Sequence, residues 1–210
     1  MIDKSDLVVA NCDHQVLDRL IRTHHYSGTC PTMLVGYGVW YRDRLAGGIV
    51  FGNGVGGKPN AYCRICESSE VIELTRLWIA DAVPANSESR VLGVALRHLR
   101  QHRGRFRAVL SYADEMAGHV GTIYQATNWR YMGSASSSGS KIKIGTQLFS
   151  SRSFNARYGT HSLARLKTIL GRDDISYIGH ETRKHAYIYP LTPEVAAWCD
   201  LHQQPYPKRS

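Results

Sequence analysis

Membrane-length hydrophobic segments are absent from the 210-residue sequence, in which no stretch approaches the ~20 consecutive apolar residues that a transmembrane helix needs. The first residues, MIDKSDLVVANCD, also lack the basic segment followed by an apolar segment that marks a secretory signal. We therefore expect a cytoplasmic protein with no membrane partner. Apolar residues make up 43% of the chain, enough for a substantial core, and the length favours one domain over residues 1–210.

Cysteines are few and odd in number: Cys12, Cys30, Cys63, Cys66 and Cys199. An odd set without an export signal does not favour a disulfide framework, so we expect reduced thiols. Cys63 and Cys66 have the spacing of half a zinc site, but no second pair and no suitably spaced histidine accompanies them. The sequence therefore predicts no bound metal.

Acidic residues are outnumbered, with 17 Asp and Glu against 26 Lys and Arg, for a formal net charge of +9. Residues 90–107 contain six arginines and no acid, and residues 141–210 contain eleven basic and five acidic residues. Arginine binds phosphate through a planar fork, so this distribution favours nucleic acid as a partner over the alternative of a solvated basic surface.

Hydrophobic periodicity predicts a mixture of helices and strands. After a first helix that ends near His24, we predict a hairpin of Leu34–Tyr41 and Leu45–Phe51 and a glycine-rich connector at Gly52–Asn60. The next predicted elements are a strand over Val71–Ala80, a helix over Asn86–His102, a strand over Phe106–Tyr112, a helix within Gly118–Asn128 and a strand over Trp129–Gly133. The last are a mobile Ser/Gly-rich loop at Ser134–Ser140, a strand within Ile142–Phe149, a basic helix over Ser162–Leu170 and a final strand over Thr182–Leu191.

Two of these elements carry charge in places that suggest a ligand. Arg76 lies among apolar neighbours in its predicted strand, so it requires either a bound anion or a structural salt bridge. The helix over Asn86–His102 follows a loop and therefore presents free backbone amides to a phosphate. The candidate residues for nucleic-acid or donor phosphates are Ser87, Arg90, Arg97 and Arg100.

The order of the predicted elements matches that of the GNAT acyltransferases. The segment Ile123–Gly133 (IYQATNWRYMG) resembles the GNAT pattern in which a tyrosine-bearing helix leads through a short turn into the next strand. The resemblance implies an α+β fold with a central mixed, mostly antiparallel sheet flanked by helices, and it puts Tyr124 at the general-acid position. The core would cover about residues 8–133, with a basic C-terminal extension over about 141–210.

Three motifs narrow this resemblance to one family. Glu73–Trp78 (ELTRLW), Ser111–Asp114 (SYAD) and His119–Trp129 (HVGTIYQATNW) resemble, in this order, the Mom family of phage DNA-modification proteins. The similarity runs from about His24 to Gly133 and is weaker at Lys184–Tyr189. Membership implies transfer of a carbamoylmethyl group to the exocyclic amine of adenine in double-stranded DNA, which protects phage DNA from restriction in the host cytoplasm.

Adenine's amine is a poor nucleophile, so the implied reaction needs a base and an activated donor. We expect Asp114 to act as the base or to orient the amine, and Tyr124 to protonate the leaving group. Arg76 would hold the negative charge of the donor or of a developing oxyanion, and Ser111 would hydrogen-bond the base or the carbonyl. The simpler alternatives are an aspartate that caps the next helix and a packed aromatic ring on a helix face.

The target base of a duplex is expected to leave the stack and enter a pocket. The candidate substrate-binding residues are His25, Tyr26, His119, Asn128 and Trp129. The stretch Val83–Arg90 lacks the glycine-rich loop that holds the pyrophosphate of coenzyme A in GNAT enzymes. Glycyl-tRNA is therefore the preferred donor and acetyl-CoA the alternative.

Two other functions are compatible with the same features. An acetyl-CoA-dependent N-acetyltransferase acting on a small amine or a protein could use the same core, because a fold does not fix a function. A nucleic-acid-binding protein without catalysis would also account for the basic segments.

Overall fold

The computed structural model describes residues 6–53, 58–102, 104–115 and 118–208. The chain forms two compact units, a core unit (Met1–Ser134 and His185–Ser210) and a basic unit (Ala135–Lys184). The single domain expected from the sequence stays a prediction. None of the described helices combines the length and hydrophobicity that a membrane crossing requires.

Strands and helices alternate along the described chain. In order they are β1 (Leu7–Asn11), α1 (His14–His24), β2 (Met33–Tyr41), β3 (Arg44–Gly52), β4 (Val71–Ile79), α2 (Ser87–His102), β5 (Ala108–Asp114), α3 (Thr122–Ala126), β6 (Arg130–Ile144), β7 (Gln147–Ser150), α4 (Ser151–Tyr158), α5 (Leu163–Leu170), β8 (Ile175–Pro190) and α6 (Pro193–His202), with 3₁₀ turns at Pro59–Tyr62 and Ser68–Glu70.

The core unit is built on a mixed sheet with the strand order β1-β2-β3-β4-β5-β8-β6. Neighbours from β1 to β4 are antiparallel, whereas β4 and β5 are parallel. The parallel register joins Val71–Glu73 to Ala108–Leu110, and the residues that follow in both strands line a pocket. This arrangement confirms the predicted α+β class with a mixed, mostly antiparallel sheet.

Helices cover both faces of this sheet. The apolar side of α2, including Leu92 and Leu96, is buried in one cluster with Val109 of β5 and Tyr187 of β8. On α6, Val195 and Cys199 belong to a second cluster, with Ala108, Leu110, Ala186 and Ile188 from the same two strands. Because successive strand residues point to opposite faces, these clusters place α2 and α6 on opposite sides of the sheet.

Glycines in β2 and β3 allow α1 to lie close to the sheet. A Cβ atom on Gly36 would lie 2.5 Å from Leu17 Cδ1, and one on Gly48 would lie 2.9 Å from Leu17 Cδ2. Leu17 and Ile21 of α1 are fully buried as a result. The position of α1 matters because the loop after it carries the first residues of the pocket.

The basic unit packs around a small core of its own. Ile142, Phe154, Leu166 and Ile175 are buried together and come from β6, α4, α5 and β8. The β6–β7 hairpin turns at Gly145, whose φ is 57°. Ser162 caps α5 by accepting a hydrogen bond from the Arg165 amide, so the helix begins one residue after its predicted start.

Several predicted elements need correction. The stretch Ser134–Ser140, predicted as a mobile loop, belongs to β6, and the strand predicted within Ile142–Phe149 is divided between the end of β6 and β7. The final strand begins earlier, at Ile175. Three elements, β1, α4 and α6, were not predicted from the sequence. Within the predicted connector Gly52–Asn60, residues 54–57 lie outside the described part of the chain.

Candidate functional site

A pocket of about 460 Å³ opens in the core unit beside the second halves of β4 and β5, and we call it the β4–β5 pocket. The loop after α1, the start of α2 and the segment 119–126 complete its wall. It brings together six of the predicted catalytic and substrate-binding residues: His25, Tyr26, Arg76, Asp114, His119 and Tyr124.

Arg76 enters this pocket as a partly buried cation. Its Nε donates to the Thr29 carbonyl at 2.7 Å, one terminal nitrogen donates to Thr29 Oγ1 at 2.9 Å, and the other donates to the Thr75 carbonyl at 2.6 Å. Burial lowers its pKa from the ordinary value, but an arginine remains charged at neutral pH. Among the described residues no carboxylate forms an ion pair with it, which argues against the salt-bridge alternative.

Tyr124 projects from α3 toward β5. The Tyr124 hydroxyl lies 2.8 Å from Ser111 Oγ, and Ser111 Oγ lies 3.0 Å from the Leu74 carbonyl oxygen. Ser111 forms a hydrogen bond with each of these two groups. Burial raises the pKa of Tyr124 to about 12, so the phenol is protonated at neutral pH and is able to donate a proton. Ser111 is buried behind the phenol, so it reaches the pocket through Tyr124.

Asp114 is the last residue of β5 and lines the pocket. Its backbone carbonyl accepts a hydrogen bond from the His119 amide at 3.1 Å, which closes the turn that leads to α3. The residue at the N-cap of α3 is Gly121, with no side-chain cap hydrogen bond. Asp114 is therefore not the N-cap of α3, and it lines the pocket.

His25 and Tyr26 form an aromatic edge of the pocket. Their ring centroids are 4.3 Å apart, and the Tyr26 ring lies 6.4 Å from that of His119. The Ser27 amide donates to His25 Nδ1 at 3.1 Å, which leaves the ring proton on Nε2. Burial, reinforced by the Arg76 charge, lowers the pKa of His25 to about 4, so the ring is neutral at pH 7. Tyr26 is 77% exposed.

Trp129, Asn128 and Ser87 do not line the β4–β5 pocket. Trp129 is fully buried and packs against Tyr124 at 5.0 Å between ring centroids, so it supports that residue and does not contact substrate. Asn128, in the left-handed region with φ 60°, borders a second pocket with Arg100. Ser87 is buried and its hydroxyl donates to the Pro84 carbonyl at 2.6 Å, so it has no proton left for a donor phosphate.

The predicted arginines of α2 do not line the β4–β5 pocket. Arg97 is exposed, and Arg90 is partly buried. Arg100 donates to the Pro190 carbonyl at 3.1 Å, with its guanidinium 5.7 Å from the centre of the Tyr189 ring. Their contact with nucleic acid stays a prediction.

Four residues that line the pocket or hold Arg76 were not predicted from the sequence: Thr29, Asn86, Glu88 and Ser89. Thr29 anchors Arg76 from a loop 47 residues earlier, a contact that no sequence pattern signals. Asn86 lines the pocket in a left-handed conformation, with φ 66°. Glu88 and Ser89 follow it in the first turn of α2 and also line the pocket. Their position after Pro84, at the start of a predicted helix, was the available signal, but the residue predicted from it was Ser87.

Cys63 and Cys66 lie on the other side of the sheet from α2. Their Sγ atoms are 3.3 Å apart, and both side chains are buried with Cys199 in one apolar cluster. Within the described ranges, no group of three or more His, Cys, Asp or Glu side chains is arranged to hold a metal ion. The cysteines act in the structure as packed apolar groups.

The sheet order and the pocket beside the diverging strands define a protein of the GNAT acyltransferase fold. The structure of Arabidopsis thaliana NAA60 in complex with acetyl-CoA superposes with a TM-score of 0.51 at 8% identity, over 88% of this chain and 99% of that chain. A GNAT family acetyltransferase from Elizabethkingia anophelis with acetyl-CoA bound superposes with a TM-score of 0.44 at 11% identity, over 89% and 99% of the chains. At 8% identity the likeness to the NAA60 structure concerns the fold alone.

The chain belongs to the Mom protein family, whose model matches residues 6–208. A curated relative, Methylcarbamoylase mom of Escherichia phage Mu, is 34% identical over 119 residues, which are 55% of this chain and 48% of the relative. The chain thus spans about half the length of this relative. The family resemblance inferred from the three spaced motifs is confirmed.

Proposed function

We propose that this protein is a DNA-modification enzyme that transfers a glycine-derived carbamoylmethyl group to the exocyclic amine of adenine in double-stranded DNA. Membership of the Mom family supports the reaction class. The observation that carries the proposal is Arg76, a cation in the β4–β5 pocket without a carboxylate in ion-pair contact among the described residues, beside Asp114 and Tyr124. A partly buried cation of this kind favours an anionic ligand or a developing negative charge.

The three groups would divide the chemistry of acyl transfer. Arg76 stabilises the oxyanion that forms when the adenine amine attacks the donor carbonyl. Asp114 accepts a proton from the attacking amine, and Tyr124 donates a proton to the departing hydroxyl oxygen of the donor. Ser111 positions the phenol through its hydrogen bond at 2.8 Å.

Glycyl-tRNA is the preferred donor. Transfer of its glycyl group to the adenine amine gives an amide, and attack of the free glycine amine on the ring carbon then expels the amide nitrogen from that carbon. The product is a carbamoylmethyl amine, and neither step changes an oxidation state. The preference over acetyl-CoA is supported by the stretch Val83–Arg90, which lacks the glycine-rich loop that holds the pyrophosphate of coenzyme A in GNAT enzymes.

The adenine ring would enter the pocket after leaving the duplex stack. The exposed Tyr26 ring and the neutral His25 ring offer an aromatic edge for stacking, and His119 lies across from Tyr26. With its proton on Nε2, His25 can also donate a hydrogen bond to an acceptor nitrogen of the base without adding charge.

The experiment combines purified protein, unmodified duplex DNA and one donor at a time, followed by mass analysis of the released nucleosides. Glycyl-tRNA is expected to yield carbamoylmethyl-deoxyadenosine with the native protein and none with Asp114→Asn. Modification of the DNA with acetyl-CoA and no tRNA would refute the proposal that glycyl-tRNA is the donor. Acetylation of an amine or a protein with unchanged DNA would instead identify an N-acetyltransferase and refute the proposed function.

A further inference from the structure

The basic unit carries most of the net positive charge of the chain. Residues 135–184 contain nine Lys and Arg against three Asp and Glu, a formal net charge of +6 out of the +9 of the whole protein. The core unit, more than three times as long, carries the remaining +3. The charge is therefore concentrated in the unit that does not contain the β4–β5 pocket.

These charges stand on an ordered scaffold. Phe154 of α4 and Leu166 of α5 are buried against Ile142 and Ile175 of the two long strands. The helices α4 and α5 are each eight residues long. Arg165 and Thr168 lie on the exposed surface of α5. A packed scaffold fixes the spacing of its surface cations, which a disordered basic tail does not.

Several of these cations form no ion pair with the carboxylates that the structure describes. In the described part of the basic unit the ion pair is Arg172 with Asp174, at 2.7 Å. Lys143, Arg157 and Arg165 are exposed, and no described carboxylate forms an ion pair with them. Three cations without a described carboxylate in ion-pair contact, on one small unit, generate a positive potential that attracts a polyanion.

We propose that the basic unit binds the phosphate backbone of double-stranded DNA through Lys143, Arg157 and Arg165. This inference rests on the function proposed above, since it assigns the duplex substrate to a surface apart from the pocket residues. Lysine, arginine and hydroxyl side chains are the usual partners of backbone phosphates, and such contacts position a protein on DNA without reading its sequence.

The chemistry of this surface favours a duplex over a folded single strand. Unpaired nucleotides, such as those of tRNA loops, are usually recognised by stacking on exposed aromatic rings. The exposed large apolar side chains of the basic unit are mainly aliphatic, namely Leu148, Ile169 and Ile178, together with Tyr177. The Tyr177 hydroxyl donates to the His161 carbonyl, which ties this ring to its own unit.

The test measures binding of a labelled, unmodified duplex to the full-length protein over a series of salt concentrations, without donor. The variant Lys143→Gln/Arg157→Gln/Arg165→Gln removes the three cations. Each phosphate contact contributes about 0.9 to the slope of log affinity against log salt, so the slope should fall by about 2 to 3. Circular dichroism of each variant verifies that the fold is retained.

A matched variant controls for the change in net charge. Arg19, Arg44 and Arg64 are exposed cations of the core unit, outside the β4–β5 pocket, and their replacement by Gln also removes three charges. The slope of log affinity against log salt for this control should differ from that of the native protein by no more than the contribution of one contact, about 0.9. Equal loss in both variants would refute the proposal, because net charge alone would then explain the binding.

The outcomes separate this inference from the proposed function. A selective loss of duplex binding in the basic-unit variant supports the inference even if the native protein modifies no adenine. Adenine modification by the native protein, with duplex binding unchanged in the basic-unit variant, would refute the inference and leave the function standing. A loss confined to the binding of uncharged tRNA would also refute it, and would identify the basic unit as a tRNA surface.

Discussion

The Tyr124 hydroxyl gives the most direct test of the proposed chemistry. Tyr124→Phe removes the proton donor but keeps the ring that packs against Trp129 and Tyr187, at 5.0 and 5.1 Å between centroids. General acid catalysis contributes roughly 10²- to 10⁴-fold, so single-turnover DNA modification should slow by about that factor with little change in DNA affinity. Tyr189→Phe is the matched control, because Tyr189 also packs against Trp129 but lies outside the β4–β5 pocket. Equal rates for Tyr124→Phe and the native protein would exclude the phenol from proton transfer.

His25 gives a prediction about pH. Burial lowers its pKa from 6.5 to about 4, so between these values the unfolded chain binds a proton that the folded chain does not. The contribution of His25 to the free energy of unfolding is therefore present above pH 6.5 and falls as the pH drops toward 4. Denaturant unfolding at pH 7 and pH 5 should show a smaller pH effect in His25→Asn than in the native protein.

The charge state of His25 is measurable directly. Nitrogen-15 NMR of the imidazole rings should show His25 as the neutral Nε2–H tautomer at pH 6, with titration near pH 4. Titration of this ring near pH 6.5 would contradict the buried environment.

At the level of residues, the sequence identified side chains that meet in the pocket but not the residues that support them. Arg76 was identifiable because a cation among apolar strand residues needs a partner, and the spaced motifs added Asp114 and Tyr124. Trp129 was misassigned because an aromatic residue near a site is equally compatible with stacking on a substrate and with packing in the core. The Thr29 contacts with Arg76 arise only when α1 brings its following loop over β4.

The turn before α3 depends on a glycine that touches a distant strand. Gly121 has φ 81°, and a Cβ atom there would lie 2.4 Å from the Tyr187 ring, whose hydroxyl donates to the Val120 carbonyl. Gly118 has φ 73° but open space around it. Both Gly→Ala changes introduce backbone strain, and Gly121→Ala also overpacks against the Tyr187 ring. In thermal unfolding, the free energy of unfolding of Gly121→Ala should therefore be lower than that of Gly118→Ala by about 1 to 3 kcal/mol.

This pair of variants also tests how α3 is positioned. Displacement of Tyr187 should move Tyr124, which follows Gly121 by three residues, so Gly121→Ala should lose more modification activity than Gly118→Ala. Equal stability and activity of the two variants would show that the ring moves away without consequence.

Elements with strong periodicity were predictable, and elements shaped by tertiary contact were not. The long apolar strand β4 and the helix α2 were predicted to within one residue at their bounds. The Ser134–Ser140 stretch has weak strand propensity by composition, yet it continues β6 because pairing within the sheet overrides local preference. In α6 the capping residue Thr192 and the following Pro193 were visible signals, but the apolar residues of this short helix lack a clear stripe.

At the level of the whole molecule, the two units have separate apolar cores, one set built on the main sheet and one around Leu166. Sequence composition showed the charge of the C-terminal region but not this division, because both boundaries lie inside long strands, β6 and β8. Hydrophobic periodicity indicates where a strand lies but not which core each part of it joins. A strand that contributes to two cores therefore has the same pattern as a strand that contributes to one.

Separate cores predict separate opening of the two units. Leu166 is fully buried in the basic unit, and its replacement by Ala should cost about 2 to 5 kcal/mol of local stability. Hydrogen exchange followed by mass spectrometry should then show faster exchange across residues 146–174, with little change in β2, β3 and α2. Leu92→Ala, in the fully buried face of α2, is the reciprocal control and should accelerate exchange in the core unit. Uniform acceleration of both units by Leu166→Ala would show that they unfold together, and the basic unit would then contribute to the stability of the pocket as well as to the charge of the protein.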